Sequence, residues 1–170
     1  MRKSTFLSVL LILLLVSCKE EQENQQEKEN LLKANLNNLV EQCWNNKDMA
    51  MLKTLTTENF VRNVNGIKVA NNQNEMAAAM NVFFTGFPDL NLTVQDVVVK
   101  EGQLFAHWTF TGSNTGIFGE TAPTGKKVKV SGYVNAKYNN EGKMDHEDVY
   151  FNELGLLQQL GYTLTPPVVE

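Results

Sequence analysis

Acid–base chemistry on a small molecule needs a proton acceptor and a donor within hydrogen-bond reach of one site. The run Met144-Asp145-His146-Glu147-Asp148-Val149-Tyr150-Phe151-Asn152 supplies both types. Read as a strand, it puts Met144, His146, Asp148, Tyr150 and Asn152 on one face. His146 and Asp148 then stand about 7 Å apart along the chain direction, close enough to act as an acid–base pair if that face lines a pocket. The opposite reading makes Asp145 to Asp148 a solvated charged edge and turns Val149 and Phe151 toward the core. His107 is a further candidate, alternating with Phe105 and Thr109, while Trp108 alternates with Ala106 and Phe110; either face could be the inner one. Arg62 and Asn63 are candidate polar groups of the same pocket, and Trp44, Phe84 and Tyr150 candidate walls, with Met80, Phe83 and Phe110 as core or wall. A cavity of that kind, apolar with few polar groups, suits a hydrophobic small molecule.

Other chemistries find little support. Two histidines and two cysteines make a protein zinc site improbable, so no metal is expected. Cys43 lies on the apolar stripe of an expected helix and reads as a buried structural thiol. There is no phosphate-binding glycine loop and no Gly-x-Ser-x-Gly elbow. The chain carries a net charge of −4 without basic clusters, which argues against nucleic-acid binding.

The elements that would position these residues follow from periodicity. Leu32, Leu36, Val40, Cys43 and Trp44 are spaced for a helix from Leu31 to about Asn46. Asp48 can cap a short second helix through Met49, Met51, Leu52 and Leu55. Asn59 to Val64 reads as a strand and Asn65-Gly66 as a turn. Asn74 to Phe84 reads as a third helix, stopped by Gly86-Phe87-Pro88-Asp89. Strands follow at Leu90 to Lys100, Leu104 to Gly112, Lys126 to Tyr138 and Lys143 to Phe151, then a short helix from Leu154 to Leu160. Helices first and an antiparallel meander after them is the pattern of an α+β fold with helices on one sheet face.

The first residues carry an address. Arg2 and Lys3 precede an apolar run from Phe6 to Val16, too short for the roughly 20 residues a membrane span needs. It ends Leu15-Val16-Ser17-Cys18, which resembles the bacterial lipobox, in which the cysteine becomes the lipidated first residue. Lys19-Glu20-Glu21 resembles a surface-export signal of Bacteroidota lipoproteins. The expected organisation is a signal peptide over 1–17, a disordered polar tether with lipidated Cys18 over 18–30, a folded domain over 31–163 and a tail over 164–170. The expected location is the cell envelope, at the outer membrane, with exposure at the cell surface left open. Loss of Arg2 and Lys3 with the leader makes the mature chain two charges more acidic, so the lipid rather than electrostatics would hold the membrane.

Four segments, in order, resemble the SnoaL-like polyketide cyclase and ester cyclase family of the nuclear transport factor 2-like superfamily. They are Phe87-Pro88-Asp89-Leu90, the run His107 to Gly116, Pro123-Thr124-Gly125-Lys126-Lys127-Val128, and the stretch from Gly142-Lys143-Met144 to Leu154-Gly155-Leu156-Leu157-Gln158-Gln159-Leu160-Gly161. The resemblance covers about Leu31 to Gly161. It implies a cone-shaped fold, three helices on a curved antiparallel sheet around an internal pocket, and often a homodimer through the outer sheet face. It also implies chemistry without a cofactor, in which one carboxylate on the last strand takes a proton next to a carbonyl. Aligned on the Leu-Leu-Gln-Gln-Leu-Gly end, Val149 occupies that carboxylate's position, Asp148 points to the opposite face unless a bulge intervenes, and Val134 or Asn135 replaces the histidine of the preceding strand.

Three functions remain open on these grounds: a cyclase- or isomerase-like enzyme, a non-catalytic binding lipoprotein, and a dimerisation or interaction module of the envelope.

Overall fold

The computed structural model describes residues 21–167, so the expected signal peptide over 1–17 and the lipidated Cys18 lie outside the described residues. The first helix, α1, is α-helical over residues 21–38 and continues as a π-helix over Leu39–Asn45. The other helices are α2 (Met49–Leu55), α3 (Gln73–Gly86) and α4 (Glu153–Leu160). Six strands run β1 (Thr56–Val64), β2 (Ile67–Ala70), β3 (Asn91–Lys100), β4 (Gln103–Ser113), β5 (Lys127–Tyr138) and β6 (Met144–Phe151). No helix among the described residues is long and apolar enough to cross a membrane.

The tether departs from expectation. Residues 21–30, read as disordered, are helical and continue into α1. Their Glu, Gln and Lys are good helix formers. Gln25 Nε2 donates to Glu29 Oε1 at 3.3 Å and Gln26 Nε2 to Asn30 Oδ1 at 3.2 Å, bonds between residues four apart that favour the helix. The scarcity of apolar residues dictated exposure here, not the backbone conformation.

From Leu32 on, α1 buries one stripe: Leu32, Leu36, Leu39, Val40, Cys43 and Trp44. The wider turn of the π-helix brings the last four of these onto the core side together. Asp48 caps α2 by accepting from the Ala50 amide. Asn72 caps α3 by accepting from the Glu75 amide, while Glu75 Oε2 reaches back to the Asn71 amide at 2.8 Å. Asn152 caps α4, and Gly161 ends it in the left-handed region with φ 108°.

The strands form one curved sheet in the order β2-β1-β6-β5-β4-β3. Every neighbouring pair is antiparallel except β1 and β6, which are parallel. The meander β3–β4–β5–β6 is the expected one. Strand β2 was not expected; it pairs with β1 across Asn65-Gly66, whose φ values of 51° and 82° suit a tight turn. Along β5 the alternation is clean: Val128, Val130, Val134 and Ala136 face the helices, while Lys127, Lys129, Ser131 and Tyr133 face outward. The helices and the inner sheet face enclose a core that includes Phe60, Phe87, Leu104, Met80 and Met144, all at or near zero exposure. Each such side chain contributes about 1.5–3 kcal/mol through burial.

Asn114, fully buried just after β4, ties the loops at one end. Its Nδ2 donates to the Gly86 and Gly116 carbonyls, and its Oδ1 accepts from the Thr124 amide and hydroxyl. Gly116 is required there, since a Cβ would sit 1.9 Å from the Thr85 carbonyl oxygen.

Candidate acid–base cavity

A cavity of about 80 Å³ lies between the inner sheet face and the helices. That exceeds the roughly 10–15 Å³ that one water needs. Helix α1 contributes Leu36, Leu39 and Trp44, and α3 contributes Phe83. Strands β3, β4 and β5 contribute Leu92, Val94, Trp108, Phe110, Val130 and Val134, and Leu156 of α4 closes one side. Gly132 makes room for part of this wall: a Cβ there would lie 2.5 Å from Trp108 Cζ2 and 2.8 Å from Phe151 Cβ. The indole and Phe151 therefore meet edge to face above it, ring centres 5.6 Å apart.

Two charged residues line this apolar space, Arg62 of β1 and Glu147 of β6. They are in register on the parallel pair, and Arg62 Nη1 donates to Glu147 Oε1. Their side chains are 14% and 5% exposed. A carboxylate buried to this extent is tolerable only with a partner, and the guanidinium is that partner. The Arg62 guanidinium also lies over the Trp44 ring, 5.4 Å from its centre. Only one guanidinium N–H is used by Glu147, which leaves further donors for a ligand oxygen. Burial, with the charge of Glu147 adding to it, pushes the Tyr138 hydroxyl well above its usual range, so it stays a neutral phenol.

The expected site residues divide between the two sheet faces. Trp44 and Arg62 line the cavity. Phe84 does not; it is half-buried one layer behind, packing edge-on against Trp44 at 5.9 Å with the Lys47 ammonium 5.7 Å above its ring. His146 and Asp148 stand on the outer face, away from the cavity. There His146 Nε2 lies 3.1 Å from Asp148 Oδ1, and Asn63 Nδ2 donates to the same oxygen at 2.7 Å. Burial works to raise the Asp148 carboxyl, but the bonds from Asn63 and His146, with the charges of His146 and Lys137, outweigh it and hold the group below its ordinary value. His107 and Tyr150 also face outward, beside a shallow groove: His107 Nδ1 meets Gln95 Nε2 at 2.7 Å and its ring tilts on Tyr133, while Tyr150 is 52% exposed. Asn63, His107 and Tyr150 are thus not cavity walls.

The physical reason is the parity of β6. Val149 and Phe151 face the cavity, and alternation carries Glu147 with them. Glu147 and Trp108 escaped the sequence reading as site residues. The signal was present in both strands, since Glu147 alternates with Val149 and Phe151, and Trp108 with Phe110. Cys43 is buried, and desolvation, with the Asp48 charge, pushes its thiol up to about 11, as suits a structural thiol. No cluster of three or more His, Cys, Asp or Glu able to hold a metal occurs among the described residues.

The family model of the SnoaL-like polyketide cyclases matches residues 34–160. The chain belongs to the SnoaL-like polyketide cyclase family. This SnoaL-like chain has the fold of a family protein from Jannaschia sp. CCS1, with 20% identity, a TM-score of 0.71, and 81% and 94% of the two chains covered. It is also similar to AclR of Streptomyces galilaeus, assigned as a hydroxylase, at 25% identity and TM-score 0.67 over 76% and 95% of the chains. A SnoaL-like polyketide cyclase of Agrobacterium tumefaciens shares the fold at 18% identity and TM-score 0.62, over 76% and 98%. No curated protein sequence matches it. The SnoaL-like chain is accordingly a cyclase- or isomerase-like small-molecule-binding domain.

Proposed function

We propose that the cavity binds a neutral, ring-bearing carbonyl compound and that Glu147 takes a proton from the carbon beside that carbonyl. The observation that carries this reading is the Arg62–Glu147 pair, a carboxylate and a donor set into an otherwise apolar wall. A base in such a place works in a low dielectric, where a nearby cation stabilises developing negative charge strongly. In this scheme Glu147 accepts the proton, an Arg62 N–H left over from the ion pair donates to the enolate oxygen, and return of the proton to another carbon completes an isomerisation. Addition of the enolate carbon to a second carbonyl would instead close a ring.

The site of action we propose is the cell envelope, with the domain held by lipid on Cys18. The support is Arg2 and Lys3, the apolar run to Val16, and Ser17-Cys18. Labelling cells with a radioactive fatty acid tests it: label should enter the chain and be lost in Cys18→Ala.

A second reading, self-association through the outer sheet face, draws on the exposure of Phe105, Tyr133 and Tyr150 there. Sedimentation of the protein with and without Tyr133→Asp tests it; a dimer converted to monomer supports it, and a monomeric wild type removes it.

The acid–base reading is tested with acetophenone as the probe. Binding should quench the emission of the cavity residues Trp44 and Trp108. In deuterated buffer the methyl protons of the bound ketone should exchange faster than in buffer alone. No quenching and no exchange across a panel of ring-bearing ketones would remove it.

A further inference from the structure

The outer-face cluster of Asn63, His146 and Asp148 takes no part in the cavity, yet it belongs to the same two-strand ladder. Val61 pairs with His146, Arg62 with Glu147, Asn63 with Asp148 and Val64 with Val149, without interruption. Consecutive pairs put their side chains on opposite faces. The inner pair Arg62–Glu147 and the outer pair Asn63–Asp148 are therefore backbone neighbours, back to back through the sheet.

This ladder needs fastening. The pairing of β1 changes register at two places: between Thr56 and Val61 against β6, and between Arg62 and Asn63 against β2. A slip of one residue would carry Glu147 to the outer face and Asp148 to the inner one. The outer side chains oppose such a slip. Asn63 Nδ2 lies between Asp148 Oδ1 at 2.7 Å and His146 Nε2 at 3.3 Å, and His146 closes on the same Asp148 oxygen at 3.1 Å. Two residues on, Asn65 Oδ1 accepts from the amide of Phe151, itself a cavity wall residue. The first of these bonds joins β1 to β6 at the level of the ion pair, the last just beyond it.

We infer that Asn63 and Asp148, with His146, are positioning residues that fix the register and depth of the Arg62–Glu147 pair from the reverse face of the sheet. This rests on the acid–base reading for its catalytic consequence but not for its structural one. Asp148 accepts, Asn63 donates, and neither touches the ligand. Removing either leaves the cavity side chains intact and frees β1 to shift against β6.

The test uses the full chain with Asn63→Ala, Asp148→Ala and Asp148→Asn. The structural readout is the Arg62 side-chain Nε–H signal in nitrogen-edited spectra, which reports the environment and order of the guanidinium. In both alanine variants it should move or broaden away, while Asp148→Asn, which keeps an acceptor oxygen for Asn63, should hold it near the wild-type position. The kinetic readout is ketone proton exchange: kcat should fall about 10- to 100-fold in the alanine variants, as expected for a misplaced catalytic group, with KM unchanged within about twofold. Asn63→Ala deletes no charge and carries the test alone if Asp148→Ala does not fold. An unmoved Arg62 signal in a folded alanine variant overturns the inference, and so does a loss confined to KM. If the wild type exchanges no ketone proton, the acid–base reading fails, and the Arg62 signal alone decides the positioning role.

Discussion

Arg62 and Glu147 stand opposite one another on the parallel strands β1 and β6, and their side chains meet on the cavity side of the sheet. These strands are far apart in sequence and form the one parallel pair within an otherwise antiparallel sheet. The ion pair therefore forms only when β1 and β6 pair, and it links stability to the site.

Removing one member of the pair should be costly. Arg62→Met leaves the Glu147 carboxylate buried without its partner, and a loss of about 3–5 kcal/mol is expected. Adding Glu147→Gln to that variant should recover much of the loss, since the unpaired charge is gone. Urea denaturation of the two single variants and the double variant measures both effects. Additive losses would show that the pair is not coupled.

The outer-face carboxylate sets an acid limb. Asp148 is held below its ordinary value in the folded chain, so its contribution is fully present above the unfolded carboxylate range. It is lost as pH falls through that range toward the folded value, because protonation removes the charge that strengthens the bonds from Asn63 and His146 and attracts Lys137. Stability measured against pH should therefore decline less on the acid side in Asp148→Asn than in the wild type. Parallel acid limbs would contradict the assignment.

Asn114 should be a structural hub rather than a site residue. Asn114→Ala strands the Gly116 carbonyl and the Thr124 amide and hydroxyl, and leaves the Gly86 carbonyl only its bond from the Gly116 amide. A loss of about 2–3 kcal/mol is expected, the scale of leaving buried polar groups unpaired. Thermal unfolding checks it, and ketone binding in the folded fraction should be unaffected.

Gly132→Ala should disturb the cavity wall from behind. A Cβ there meets the Tyr150 carbonyl at 2.3 Å and Trp108 Cζ2 at 2.5 Å, so β5 and β6 must part or the indole must move. Overpacking of this kind costs about 1–3 kcal/mol. A lower melting temperature together with shifted tryptophan emission is the expected result; an unchanged emission spectrum would place Trp108 elsewhere.

Much of this architecture was legible in the sequence, because it is local. Leu32, Leu36, Val40 and Cys43 announced α1, Asp48 its successor, and the alternating runs after Leu90 the strands of the meander. The four motifs announced the family, and Asn114 with Gly116 shows what one of them does: it closes a loop. What stayed hidden depends on distant partners. Strand β2 is four residues long and forms only because β1 offers an edge. The sequence left the face of β6 open, because Glu147 looks like a solvent residue until Arg62, 85 positions away, is placed beside it. His146 and Asp148 form the close pair that their spacing promised, but on the far side of the sheet. Residues 21–30 are helical despite a polar composition, since helix propensity and i,i+4 bonds act without a core.

We propose Glu147, on the inner face, as the working carboxylate. The most direct measurement is deuterium exchange into acetophenone catalysed by the wild type, Glu147→Gln and Asp148→Asn at one pH, followed by proton spectra. The expected result is at least about a 100-fold loss for Glu147→Gln, the lower end of what a general base contributes, and near wild-type exchange for Asp148→Asn. Full exchange in Glu147→Gln, with the loss in Asp148→Asn instead, would contradict it and return the chemistry to the outer face.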